Sequence, residues 1–119
     1  IYFVLTDDGG DLNYVTASGY NDGDWHHVAA TYDGEKLRAY LDGQLEAETN
    51  VGGAPDPNKA PMRIGRWGGA RGDYMEGLID EVAIPNKVLE EKVVQQIAQF
   101  GSRTERRTVQ PTGLTLGPD

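Results

Sequence analysis

The sequence predicts an all-β fold, an antiparallel β-sandwich carrying one C-terminal helix, and three observations predict it. Asp33-Gly34 and Asp42-Gly43 each separate two apolar runs. An Asp-Gly pair in that setting is a hairpin turn, because both residues tolerate positive φ. The runs on either side alternate apolar and polar side chains with the period of a strand. Only Leu89–Phe100 has the period of a helix.

Taken in order, Ile1–Thr6 is an apolar run that reads as a strand, and Asp7–Gly10 is a turn. Leu12–Ser18 returns, with Leu12, Tyr14 and Thr16 on one face and Asn13, Val15 and Ala17 on the other. Gly19–Gly23 is a loop. Trp25–Tyr32, Lys36–Leu41 and Gln44–Thr49 then form a three-stranded meander. Neither face of Trp25–Tyr32 is purely polar, so that strand is expected to be central and covered on both sides. In the next strand Leu37, Ala39 and Leu41 should point inward, and Lys36, Arg38 and Tyr40 outward. Leu45 and Ala47 should face in, with Glu46 and Glu48 out.

Asn50–Ala60 holds two closely spaced prolines and reads as a loop. Pro61–Trp67 contains a short strand, Gly68–Asp73 is a Gly-rich loop, and Tyr74–Ile84 is a closing strand. In the helix, Leu89, Val93, Ile97 and Phe100 form one apolar stripe. Glu90 and Glu91 suit its N-terminal dipole, and Gly101 is placed to end it. This gives a sandwich domain over residues 1–101 and a polar linker or tail over 102–119.

Four stretches resemble laminin G-like domains of the concanavalin A-like lectin/glucanase superfamily. Trp25-His26-His27-Val28-Ala29, Thr31-Tyr32-Asp33-Gly34 and Tyr40-Leu41-Asp42-Gly43 are similar to that family's W-H-H-V-A, Y-D-G and Y-V-D-G segments. Leu78–Ile84 is similar to its closing I-D-E-V-R-I strand. The resemblance implies a jelly-roll sandwich. Such domains have further strands before the part matched here. The resemblance therefore implies either the C-terminal portion of one, with the other strands elsewhere, or a short variant that protects its edges by self-association.

The chain has 119 residues, no cysteine and a net charge of −8. Residues 1–101 hold 17 acidic against 8 basic side chains, a net of −9. An acidic body disfavours nucleic acid and anionic membranes. Without cysteine there are no disulfides, thiolate metal sites or Cys nucleophiles. No apolar run approaches the roughly 20 residues a membrane helix needs.

Glycoside hydrolysis needs two carboxylates about 5–9.5 Å apart across a sugar. The superfamily's glucanases use an E-x-D-x-x-E-like strand. Glu76, Asp80 and Glu81 lack that spacing, and Glu46 and Glu48 have no aromatic neighbours in sequence, so no catalytic residue is assigned. His26 and His27 are adjacent and would point to opposite faces of a strand, which suits structural histidines. Sugar binding needs flat aromatic faces beside polar groups. Trp67, with Arg66, Arg71, Asp73 and Tyr74, is the best such patch, and Tyr40 a second candidate. Arg71-Gly72-Asp73 also spells an RGD tripeptide, a length at which chance matches are common.

Calcium needs clustered oxygen ligands. Asp7, Asp8 and Asp11 form one acidic turn and Asn21, Asp22 and Asp24 another, though turn preference alone accounts for both. Asp80 would share a strand face with Val82 and Ile84, where a carboxylate must be paired or bound to a cation. The resemblance implies a structural calcium there. The expectation for the whole is a non-catalytic, extracellular or cell-surface module that recognises a glycan or an extracellular protein. The alternative is a structural module that completes a sandwich with another segment or chain.

Overall fold

The architecture is that of a computed structural model, which describes residues 1–57, 61–66 and 74–106. It divides into two units, Ile1–Asp56 with Lys87–Asp119, and Pro57–Asn86.

The first unit holds strands β1 (Tyr2–Thr6), β2 (Leu12–Thr16), β3 (Val28–Tyr32), β4 (Lys36–Leu41), β5 (Gln44–Asn50) and helix α1 (Glu91–Arg106). β1 and β2 pair antiparallel, and β3-β4-β5 form a second antiparallel sheet in that order. The two sheets pack face to face, as expected of a sandwich. Val15 of β2 meets Leu37 and Ala39 of β4 and Val51, with Phe3, Leu5, Tyr32 and Ala47 around them. Full burial of a side chain such as Leu37 contributes about 1.5–3 kcal/mol.

The turns carry the strand order. Asp33 Oδ1 accepts from the backbone N–H groups of Glu35 and Lys36 at 2.9 and 2.7 Å. Asp42 sits at φ 52° and Gly43 at φ 84°, the left-handed conformation that a tight hairpin demands.

Several expectations change. β3 begins at Val28 rather than Trp25 and lies at a sheet edge, with β4 in the centre. His27 is held by the β4–β5 turn instead: its N–H donates to Asp42 Oδ1 at 2.9 Å and its carbonyl accepts from Asp42 N–H at 2.7 Å. In β5 the pairing passes from Ala39↔Ala47 to Tyr40↔Leu45, leaving Glu46 as an extra residue. This bulge rotates Leu45 onto the face of Tyr40, away from the inter-sheet core, and Leu45 is exposed.

Tyr40 itself is buried, at 3% exposure, although it faces away from that core. The second face of the sheet is therefore covered at Tyr40, though not at Leu45. α1 contacts β5 and passes so close to Gly43 that a Cβ there would stand 2.9 Å from Gln95 Cα. The helix buries Val94 and Ala98, one turn apart, rather than the expected stripe; Ile97 and Phe100 are exposed. It also continues past Gly101 to Arg106. One interior glycine costs a helix only about 1 kcal/mol, too little to force an end.

In the second unit, Arg66 and Tyr74 form an antiparallel bridge. The closing strand expected over Tyr74–Ile84 is not formed among the described residues beyond that bridge. Glu81 sits at φ 55°, which breaks the extended alternation, and among the described residues no neighbouring strand supplies a ladder.

Candidate functional site

The sequence-predicted patch is brought together in part. Arg66 and Tyr74 face each other across their bridge, and Met75 N–H donates to Gly65 O at 2.8 Å. The Arg66 guanidinium carbon stands 5.2 Å from the centre of the Tyr74 ring. A cation–π contact at such an exposed site contributes about 0.5–1 kcal/mol. Tyr74 is 70% exposed, so its ring is available to a ligand. Trp67, Arg71 and Asp73 lie outside the described residues. Tyr40, the second aromatic candidate, is a buried residue and presents no ring to solvent.

Asp80 is exposed, outside any strand, and its Oδ1 accepts from Glu81 N–H at 2.8 Å. The apolar strand face that made it a calcium candidate is missing, because Val82 and Ile84 are themselves exposed. No group of three or more His, Asp or Glu side chains placed to hold a metal occurs among the described residues. Calcium takes about 6–8 oxygens, and Asp80 with its described neighbours does not assemble them.

The acidic turns are used internally. Asp7 is buried and accepts from Gly9 N–H, Asp11 N–H and Asn13 Nδ2 at 3.0, 2.9 and 3.0 Å. These donors, Asn13 first, hold its carboxyl below the ordinary range. His26 is clasped between two carboxylates: Nδ1 to Asp42 Oδ2 at 2.7 Å and Nε2 to Asp22 Oδ1 at 2.8 Å. Hydrogen bonding to Asp42, then to Asp22, pushes its pKa up to about 9. His26 is thus a protonated tie between the loop before β3 and the β4–β5 turn. Both ring nitrogens are committed, which leaves none for a metal or a proton relay.

A third surface was not singled out in the sequence. β1 and β2 turn Phe3, Leu5 and Val15 toward the core and leave Tyr2, Val4, Leu12 and Tyr14 outside, at 66, 37, 55 and 56% exposure. Alternation places these four on one face, but it does not say whether that face is covered; no described residue of their own unit covers them. Beside this face a cleft of about 420 Å³ opens between β2 and β5, lined among others by Tyr14, Thr16, Glu48 and Thr49. Glu48 lines it from the edge strand, but its carboxylate is held on the opposite face of the sheet, away from the core, by Lys36 Nζ at 3.0 Å and Arg38 Nε at 3.2 Å. Lys36, then Arg38, holds its carboxyl below the ordinary range, so it is an ionised acceptor and not a proton donor.

Two facing antiparallel sheets built on Asp-Gly hairpins define a β-sandwich. Residues 1–95 match the laminin G family model described as the concanavalin A-like lectin/glucanases superfamily, and the chain belongs to that family. Among solved structures it is similar to an S-layer domain-containing protein from Clostridium thermocellum, with 22% identity and a TM-score of 0.58. That likeness covers 73% of this chain and 45% of the other, so the chain spans less than half of that structure's length. A comparison with curated proteins gives no match.

Proposed function

We propose that the chain is a non-catalytic binding module of an extracellular or cell-envelope protein, and that it recognises carbohydrate or a protein surface. The observation that carries this reading is the exposed Tyr74 ring held against Arg66. A flat ring beside a fixed cation stacks on a sugar face and donates to its hydroxyls. Family membership and the S-layer-type structural neighbour support the cell-envelope setting. The test is glycan retention by Trp67→Ala and Tyr74→Ala. Loss of retention with an unchanged melting temperature supports the site. Equal loss of stability assigns these rings to packing instead.

A second reading, an assembly module that completes a sandwich with another segment or chain, is favoured by Leu78, Ile79, Val82 and Ile84, all exposed. Light scattering after size exclusion tests it: an oligomer supports assembly, and a stable monomer counts against it. A structural calcium at Asp80 would draw its other ligands from beyond the described residues. A fall in melting temperature on chelation supports that ion, and no change removes it.

A further inference from the structure

We infer that the free edge of β2, where it opens into the cleft beside β5, takes up an extended segment of a partner protein as an added strand. This deepens the protein-recognising half of the reading above, and it rests on no residue of the Arg66–Tyr74 patch.

Register makes the edge. Ala17 N–H donates to Ile1 O at 3.0 Å at one end of the β1–β2 hairpin, and Asp7 N–H donates to Asp11 O at 3.0 Å at the other. Between them Val15 stands opposite Phe3 and Asn13 opposite Leu5. Antiparallel pairs alternate, so Asn13 and Val15 direct their backbone groups to β1. Leu12, Tyr14 and Thr16 turn their N–H and C=O groups the other way, and no described residue pairs with them. Such a row of alternating donors and acceptors is matched along its length by another extended backbone.

Two other edges are closed or guarded. On β1, Asp8 N–H donates to Ala54 O at 2.7 Å and Thr6 O accepts from Asp56 N–H at 2.9 Å. β5 carries Glu46 in a bulge and a second acid in Glu48. β2 (LNYVT) has no charge, no proline and no bulge.

The cleft selects the guest. It holds about 420 Å³ and is bordered by the whole of β2 and by Ala47, Glu48 and Thr49. A strand added to β2 turns alternate side chains to the inter-sheet side, as Asn13 and Val15 do. There it meets Ala47 and Thr49, which are small, half-buried and uncharged, so valine- or threonine-sized groups fit. The Glu48 carboxylate is tied to Lys36 and Arg38 on the far face and takes no part. A chain of net charge −8 favours basic flanks on the guest and opposes a second copy of itself.

The probe is a blocked peptide of alternating threonine and valine between two lysines. Its control is the same peptide N-methylated at every central amide, which keeps the charge and side chains and removes the strand hydrogen bonds. Titration calorimetry of the intact protein should show saturable binding of the probe and none of the control. Hydrogen exchange followed by NMR should slow at Leu12, Tyr14 and Thr16 on binding, while Asn13 and Val15, already paired to β1, stay unchanged. Thr16→Pro removes one outward N–H without touching the β1 ladder. It should weaken binding about threefold to tenfold at an unchanged melting temperature, and Thr16→Ala should not. Equal binding of the control, no binding of the probe, or protection elsewhere overturns the added strand; so does a dimer in sedimentation velocity that the probe fails to dissociate. Tyr74→Ala should leave probe binding intact. Binding lost in Tyr74→Ala but kept in Thr16→Pro overturns this edge while supporting the Arg66–Tyr74 patch.

Discussion

Gly43→Ala tests how the helix is seated. Gly43 has φ 84°, and a Cβ built there meets Gln95 Cα at 2.9 Å, Cγ at 3.2 Å and Cβ at 3.4 Å. Gly34 has φ 98° in the preceding turn and nothing within 4 Å of the same added atom. Alanine at either position adopts a left-handed conformation at about 1–2 kcal/mol. Only at position 43 must backbone also move. Carbon atoms rest about 3.5–4.0 Å apart, so α1 must retreat by a large part of an ångström. Crowding of this kind costs about 1–3 kcal/mol. Gly43→Ala should therefore lose about 3 kcal/mol in all, against about 1 kcal/mol for Gly34→Ala. Equilibrium urea unfolding measures both, and the midpoints should separate by about 1 M for a slope near 2 kcal/mol/M. Gln95→Ala should not rescue the loss, because the nearest atom belongs to the helix backbone. Equal losses at the two glycines would refute the close seating of α1 on this turn.

Other outcomes follow from the core and the charged ties. Leu37→Ala, deep between the sheets, should cost about 3 kcal/mol in the same assay; a cost under about 1 kcal/mol would mean that the two sheets do not enclose it. His26 is raised from 6.5 to about 9, so its stabilisation is complete below pH 6.5 and fades as pH rises through 9. The urea midpoint should decline over that window. His26→Gln should flatten the decline, and a parallel decline in the variant would show that His26 is not its source. Asp22 and Asp42 are about half exposed, so salt should shrink the effect. The Asp7 carboxyl is held below its ordinary 3.8, so its contribution is present above that pH and disappears as pH falls through the lower folded value. Asp7→Ala should lower stability at pH 7 and make the acid limb shallower; an unchanged limb would place the acid sensitivity elsewhere.

The parts of the fold legible in the sequence are those fixed by local chemistry. Asp33-Gly34 and Asp42-Gly43 specify their hairpins, and β4 runs from Lys36 to Leu41 as the alternation predicts. Alternation tells which side chains share a face, not whether that face is covered. Pattern therefore places Tyr40 outside, while tertiary packing buries it. Pattern turns Leu45 inward and the structure turns it out, because a bulge leaves no mark in a two-residue period. The helix was found by its period, yet its rotation follows from the contact at Gly43, and that selects Val94 and Ala98. Leu78–Ile84 has strand-like composition, but a strand exists only with a partner. Of the predicted binding patch, Arg66 and Tyr74 are brought together by a bridge. Tyr2 and Tyr14 were invisible as a surface because strand pattern alone does not distinguish an open face from a packed one.

The turn chemistry bears on how this molecule ages. An aspartate followed by glycine can cyclise when the glycine nitrogen attacks its side-chain carboxyl carbon, and the ring reopens mostly as isoaspartate. Four such pairs occur, at Asp8, Asp22, Asp33 and Asp42. Three of these carboxylates are tethered, Asp22 and Asp42 to His26 and Asp33 to Arg38 and the turn amides. A tethered carboxylate cannot swing onto the neighbouring nitrogen. Asp8 is exposed, and chemical damage on long storage should gather at the Asp8-Gly9 bond while the hairpins that define the meander stay intact.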